Sequence, residues 1–174
     1  IRGDLHMHTT WSDGRLSVEE MALAAKARGL TYIAICDHSP RLRDGRMEQQ
    51  AAEIAEVNER ISRLRVLSGV EVDIKGDGSL DMPDEVLAER DWVVASIHSG
   101  FQDSSEKLTQ RMISAIENPL IDCIAHPTGR RLRSRPSYEL DLDEVFGAAA
   151  ATGTALEING QPDRLDLKAG LGDV

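Results

Sequence analysis

Few cysteines, no long apolar run and no signal peptide are the first features of this 174-residue sequence. Cys36 and Cys123 lie far apart inside apolar runs, and no C-x-x-C pair occurs, which excludes a disulfide framework and a cysteine-type zinc site. Such cysteines predict buried, reduced thiols and a cytoplasmic protein. No stretch approaches 18 consecutive apolar residues, so the sequence predicts no membrane span.

Nucleotide-binding motifs are also missing. There is no G-x-G-x-x-G after the first predicted strand and no G-x-x-x-x-G-K-[ST], which argues against a dinucleotide or P-loop fold. The composition, 41% hydrophobic and 29% charged, is that of an ordinary globular protein, and the length predicts one domain over residues 1–174. The sequence begins Ile1-Arg2-Gly3-Asp4, which reads like the middle of a longer chain.

The charge balance is strongly negative, at -10. A free-standing nucleic-acid binder is disfavoured, since neutralisation of phosphates dominates the affinity of such proteins. Bound divalent metals would add positive charge locally. Two arginine-rich stretches do so as well, and they comprise Arg41, Arg43 and Arg46, then Arg130, Arg131, Arg133 and Arg135.

Short apolar runs alternate with helix-like stretches along the whole chain. The pattern predicts strands at residues 5–8, 32–36, 66–74 (broken by Gly69), 92–97, 121–125 and 155–158. Helices are predicted after the capping-box sequence at Ser17, over 47–64, after Pro83, around 108–116 and over 145–151. This alternation predicts an α/β fold with a mainly parallel sheet, either a β/α barrel or an open doubly wound sheet.

All five histidines fall at or near the carboxyl ends of predicted strands, where α/β folds place their active sites. Two carboxylates accompany them: Asp13 in a turn, and Glu71 inside an apolar strand, where a carboxylate is costly without a partner. The histidines are His6, His8, His38, His98 and His126. His6 and His8, two apart on one strand, are expected to project to the same face. The joint pattern predicts a metal site.

The donor types favour zinc, manganese or iron, because neutral imidazoles and carboxylates suit these ions. More ligands are present than one tetrahedral ion needs, so two or three divalent ions are expected. A multinuclear site suits hydrolysis of phosphate esters. Both arginine stretches follow predicted strand ends, which favours phosphate contact.

Four further residues keep two interpretations open. Asp37 either orients a metal ligand or caps the strand end. Trp11 either stacks on a base or packs under the first loop. Glu157 and Asn159 either face the site or lie at a solvated strand end.

These motifs resemble those of the PHP family (polymerase and histidinol phosphatase domains), through nearly the whole chain. The resemblance rests on His6-Met7-His8-Thr9 with Ser12-Asp13-Gly14, Asp37-His38, Gly69-Val70-Glu71, His98 and His126-Pro127. Within the family, the sequence is most similar to the C-terminal PHP domain of bacterial family X DNA polymerases. The stretches that carry this are Gly3-Asp4-Leu5-His6, Gly69-Val70-Glu71-Val72-Asp73, Ala95-Ser96-Ile97-His98-Ser99-Gly100, Glu117-Asn118-Pro119 and His126-Pro127-Thr128-Gly129-Arg130.

The resemblance implies a distorted barrel of seven β/α units, about six of them covered here, with three metal ions. It implies that His6, His8 and Glu71 hold the first ion, that Glu71, His98 and His126 hold the second, and that Asp13 and His38 serve the third. Metal-bound water, rather than a side chain, would be the nucleophile. The implied activity is a manganese-dependent 3′-5′ exonuclease acting on DNA 3′ ends in repair, with an N-terminal polymerase domain in the same chain.

One departure from the family pattern concerns its last strand, which carries an Asp-x-His. The sequence stops at Gly172-Asp173-Val174 without one, so no ligand role passes to Asp173. We therefore expect a fragment of a longer domain that lacks its closing strand and last ligands.

Three alternatives remain. A small-molecule phosphatase of the histidinol-phosphatase type would use the same donors. An amidohydrolase also opens with H-x-H, but it needs a strand-end lysine, and the four lysines (Lys26, Lys75, Lys107 and Lys168) fall elsewhere. A structural PHP module without metal would support a polymerase only.

Overall fold

The structure is a computed structural model, and it describes residues 1–167. Lys168 and Asp173, which entered the sequence analysis, lie outside the described residues. The strands are β1 (Gly3–Met7), β2 (Tyr32–Ile35), β3 (Arg65–Asp73), β4 (Trp92–Ser96), β5 (Cys123–Ile124) and β6 (Ala155–Leu156). The helices are α1 (Val18–Ala27), α2 (Arg46–Arg60), α3 (Asp84–Leu87), α4 (Ser105–Ile116) and α5 (Leu142–Thr152), with a short 3-10 helix at Ser39–Arg41.

Hydrogen-bonded neighbours in the sheet follow the order of the sequence, from β1 to β6. The pairs β1 with β2, β2 with β3, and β5 with β6 are parallel, with the helices as crossover connections. Sequential order with parallel pairing is the topology of a β/α barrel. The predicted α/β class, and the distorted barrel type with about six strands covered, are confirmed.

Contacts divide the chain into two compact units. The first comprises residues 1–72 and 82–94, and the second comprises residues 73–81 and the chain from 95 onward. In the first unit, α1 and α2 bury their apolar faces on β2 and β3 through residues that include Val18, Ala22, Ile33, Ile54 and Val57. In the second unit, α4 packs against α5, and the buried residues of these helices include Leu108, Met112 and Val145.

Three local expectations are corrected. The helix predicted over 47–64 ends at Arg60, because Ile61 is already extended at φ -104° and ψ 106°. The first strand ends at Met7, so His8 follows it directly. Gly69 does not break β3 but lies within it, where a Cβ atom would stand 2.8 Å from Trp92 O and 2.9 Å from both Cys36 Sγ and Ile35 O. Glycine thus permits the close approach of three backbone segments.

Neither cysteine is in a disulfide, and both are buried, as expected. Burial raises the pKa of the Cys123 thiol to about 12, with smaller contributions from Glu157 and Asp122. In residues 1–167, no helix is both long and apolar enough to cross a membrane.

Candidate metal centre

Five of the predicted ligands lie in the first unit, and the three histidines among them converge on the Glu71 carboxylate. Its side chain is 1% exposed, and Oε2 lies 3.4 Å from His6 Nε2, 3.5 Å from His8 Nε2 and 3.0 Å from His38 Nδ1. The two imidazoles of the first motif approach each other, with 3.2 Å between the Nε2 atoms. The strand position of Glu71 explains this arrangement, since β2 and β3 run parallel and both end at the edge where β1 delivers its histidines.

Asp13 completes a second group in the same unit. Its Oδ1 lies 3.5 Å from His8 Nδ1, and its Oδ2 lies 3.6 Å from His38 Nε2. His8 therefore offers one ring nitrogen to the Glu71 group and the other to the Asp13 group. The donor atoms of His6, His8 and Glu71 lie within 4.8 Å of one another, and so do those of His8, Asp13 and His38.

The separations between these donors suit metal ligation. Ligands about 2.1 Å from a tetrahedral ion stand roughly 3.4 Å apart, and the distances around Glu71 run from 3.0 to 3.5 Å. Burial lowers the pKa of His8; Glu71 opposes this shift, and His6 and His38 add to it. A neutral His8 keeps a lone pair available for a metal ion. The residues present therefore fit a site for divalent ions.

Asp37, directly after β2, holds the loop that carries His8 and Asp13. It is fully buried and accepts hydrogen bonds from Thr9 N at 2.7 Å, Thr9 Oγ1 at 2.6 Å and Ser12 Oγ at 2.5 Å. Gln50 Nε2, on α2, donates a fourth at 2.6 Å. Of the two interpretations of Asp37, these contacts favour the orienting one.

The remaining two predicted ligands lie in the second unit. The rings of His98 and His126 are 5.4 Å apart between centroids, at an angle of 52°. His98 Nδ1 lies 2.7 Å from Asp73 Oδ1. A carboxylate on Nδ1 fixes the ring orientation and leaves Nε2 for a ligand, as in many metal-binding histidines.

His126 is 4% exposed and has a positive φ of 32°, which is uncommon for a residue with a side chain. Its backbone N–H donates to Glu157 Oε2 at 2.7 Å. Thr128, two residues after His126, donates hydrogen bonds to the Asp166 carboxylate from N at 3.1 Å and from Oγ1 at 2.8 Å. Glu157 therefore holds the backbone of the candidate ligand His126, and it is not merely a solvated residue at the end of β6.

Arg111 is a buried cation that the sequence analysis did not identify. It is 2% exposed on α4 and donates to Ile74 O at 2.7 Å, Lys75 O at 2.9 Å and Ser99 O at 3.1 Å. These carbonyls directly follow Asp73 and His98, so one guanidinium fixes both ends of the Asp73–His98 pair. An arginine on the inward face of an amphipathic helix was the signal available in the sequence.

The first arginine stretch is partly engaged in local contacts. Arg46 Nε donates to Arg41 O at 2.7 Å, and its guanidinium lies 4.8 Å from the centre of the Trp11 ring. Trp11 Nε1 donates to Glu53 Oε2 at 2.6 Å, and the ring packs against the core of the first unit. The packing interpretation of Trp11 is therefore the one that its contacts favour. Arg41 and Arg43 are exposed.

The second stretch divides in a similar way. Arg130 donates through Nε to Arg164 O at 2.9 Å and through Nη2 to Leu165 O. Arg135 donates to Gly129 O at 2.8 Å and lies 3.9 Å above the Phe101 ring. Arg131 and Arg133 extend into solvent.

Comparison with known proteins adds the family. The PHP domain model matches residues 4–161. The chain is 48% identical to the DNA polymerase/3′-5′ exonuclease PolX of Bacillus subtilis, over 97% of this chain and 30% of that protein. It is 35% identical to a probable phosphatase of Acetivibrio thermocellus, over 90% of this chain and 64% of that protein, and 34% identical to one of Syntrophotalea carbinolica over the same shares.

The chain thus spans less than two thirds of the length of each of these relatives. The family model, by contrast, covers most of the chain, and the residues it matches include every histidine and both candidate carboxylate ligands. On this match, the chain belongs to the PHP domain family.

Proposed function

We propose that the chain is a metal-dependent phosphoesterase that hydrolyses phosphodiesters at DNA 3′ ends. The observation that carries the proposal is the convergence of three imidazoles on the buried Glu71 carboxylate. Similarity to a protein named as a 3′-5′ exonuclease supports DNA as the substrate. In hydrolysis, a new P–O bond to water forms and the bond to the leaving 3′ oxygen breaks.

We further propose that His6, His8, Asp13, His38 and Glu71 bind divalent ions in the first unit, and that His98 and His126 bind one in the second. Two or three ions of manganese, zinc or iron are expected. When bound, such ions lower the pKa of water and neutralise charge on phosphate oxygens.

The protein's own residues supply orientation and charge around these ions. Asp37 and Asp73 hold the loops and rings that carry the donors. Arg41 and Arg43, which follow β2, and Arg131 and Arg133, which follow β5, are exposed and supply positive charge for the phosphate backbone. Arg46 is instead held on Trp11, and Arg130 is held by backbone carbonyls. A polymerase domain in the same natural protein is the proposed partner, since the matching region forms 30% of the Bacillus subtilis relative.

A second candidate is hydrolysis of a small phosphomonoester, which the probable phosphatases among the relatives favour. Comparing turnover of a single-stranded oligonucleotide with turnover of p-nitrophenyl phosphate distinguishes the two. Preference for the monoester by kcat/KM would contradict the DNA assignment and leave the phosphoesterase assignment standing.

The test of the phosphoesterase assignment uses Glu71→Gln, which keeps the shape of the side chain and removes its charge. We expect hydrolysis in the presence of Mn²⁺ to fall by about 100-fold or more, as for other losses at metal sites. Glu85→Gln, at an exposed position of α3, is the matched control and should keep full activity. Full activity in Glu71→Gln would refute the proposal.

A further inference from the structure

The second arginine stretch forms a tight antiparallel hairpin, which we call the arginine hairpin (residues 130–137). Arg131 N donates to Arg135 O and Arg135 N to Arg131 O, both at 2.8 Å. The turn places Arg133 at a φ of 68°. These backbone bonds fix the conformation of the tip, which carries the exposed arginines Arg131 and Arg133.

Contacts on both sides anchor the arginine hairpin. Arg135 donates to Gly129 O at its base and also covers the Phe101 ring, and Arg130 donates to Arg164 O on the segment that follows β6. Leu132 N donates to Asp163 O at 2.6 Å, on a neighbouring loop. The guanidinium groups of Arg130 and Arg135 are thus engaged in protein contacts, unlike those of Arg131 and Arg133 at the tip.

Four arginines concentrate positive charge in the arginine hairpin. Arg131 and Arg133 are exposed and make no ion pair within residues 1–167. Burial lowers the pKa of Arg135, and the neighbouring charges of Arg164 and Arg131 lower it further. Like charges held together repel one another, and a bound anion relieves that repulsion. In a chain with net charge -10, such a cluster marks a local anion site.

A concavity of about 380 Å³ lies against the arginine hairpin and is lined by residues 130–137. Its volume is in the range of ligand pockets. The hairpin begins four residues after His126, so Arg131 lies within about 18 Å of that histidine even if the intervening chain is fully extended. A chain of nucleotides, unlike a single phosphate, can occupy both places at once.

We propose that the arginine hairpin binds the phosphate backbone of single-stranded polynucleotide, with Arg131 and Arg133 as the contacts and Arg130 and Arg135 as anchors. This inference rests on the proposed function, hydrolysis at DNA 3′ ends, and specifies which residues hold the substrate strand. It predicts that the hairpin contributes to binding of polynucleotides and not to turnover of a small phosphodiester.

The test measures binding of a fluorescein-labelled 20-nucleotide oligothymidylate to the 174-residue chain by anisotropy, in EDTA and over a series of salt concentrations. The variant is Arg131→Gln with Arg133→Gln. Each phosphate contact on a single strand contributes about 0.7 to the slope of log K against log salt. We expect the slope to fall by about 1.4 and the affinity at 0.1 M salt to fall about 25-fold.

The matched control is Arg28→Gln with Arg63→Gln, which changes the net charge equally in the first unit. Both residues are exposed, and Arg63 has a φ of 66°, close to that of Arg133. The control should bind like the unmodified chain. An equal loss in both double variants would show a general charge effect and overturn the proposal, as would an unchanged slope in the hairpin variant.

Failure of this inference and failure of the proposed function are distinguishable. Because binding is measured in EDTA, it does not depend on metal-supported hydrolysis. Loss of binding in the hairpin variant supports the hairpin site whatever the activity of Glu71→Gln. Turnover of bis(p-nitrophenyl) phosphate is measured in parallel, and a loss there as large as the roughly 25-fold loss of oligothymidylate affinity would overturn the hairpin's assignment to polynucleotide.

Discussion

Asp37 is a buried carboxylate whose four hydrogen bonds join β2, the first loop and α2. A carboxylate without such hydrogen bonds would be costly to bury, whereas these four bonds offset that cost and hold the three segments together. His8 and Asp13 lie on either side of the residues it holds. Asp37 therefore affects both the stability of the first unit and the position of two candidate ligands.

Asp37→Asn should lower the free energy of unfolding by about 3 kcal/mol, because it removes the charge from several hydrogen bonds and turns an amide NH₂ toward other donors. The measurement is urea unfolding of the metal-free chain. Asp44→Asn is the control, since Asp44 is exposed and asparagine tolerates its φ of 57°. Equal stability of the two variants would contradict the role given to Asp37.

Helix α1 begins with a capping box, in which Ser17 N donates to Glu20 Oε2 at 2.8 Å and Glu20 N donates to Ser17 Oγ at 3.3 Å. The hydrogen bond from the Ser17 backbone, followed by that from its hydroxyl, lowers the pKa of Glu20. A carboxylate with a lowered pKa stabilises the folded state above its unfolded pKa, and this stabilisation is lost as the pH falls.

Ser17→Ala should cost about 1 kcal/mol of stability at pH 7, as at other serine N-caps. Part of this difference should disappear at an acid pH below the lowered pKa of Glu20, where its carboxylate is protonated. Ser104→Ala is the matched control, because Ser104 caps α4 through Lys107 N without a glutamate partner. Thermal unfolding at the two pH values measures both differences; a pH-independent cost at Ser17 would contradict the prediction.

The elements show what local sequence can and cannot predict. Alternating apolar runs predict all six strands to within a few residues, and the capping box predicts the start of α1. The end of α2 is missed because Ile61 and Leu64 continue the helical spacing, yet they are buried on either side of the turn that joins α2 to β3. Gly69 is misread because only a neighbouring backbone reveals why a glycine stands inside a strand.

The candidate site follows the same division. Histidines at strand ends can be recognised from the sequence, because parallel strands deliver their ends to one edge. Their supports depend on partners distant along the chain. Asp73 and His98 are 25 residues apart, and Arg111 reaches carbonyls 36 and 37 residues away. No local pattern encodes such pairings.

At the scale of the whole molecule, the acidic chain brings several carboxylates and imidazoles together, which metal binding should stabilise. An ion present at 100 times its Kd adds about 2.7 kcal/mol, or roughly 5–10 °C in Tm for a chain of this size. We expect this shift with Mn²⁺ and a smaller one in Glu71→Gln, by differential scanning fluorimetry. Glu85→Gln should retain the full shift; an equal shift in Glu71→Gln would contradict binding at Glu71.

The placement of five candidate donors within the first 71 residues also has a consequence during synthesis. A ribosome adds about 5–20 residues per second, so His98 follows Glu71 after about 1–5 s, and His126 comes later still. For that interval the nascent chain already carries the complete donor set of its first unit. The ions available beside the ribosome can therefore compete for these donors before the other two histidines exist, which makes metal choice partly a matter of timing.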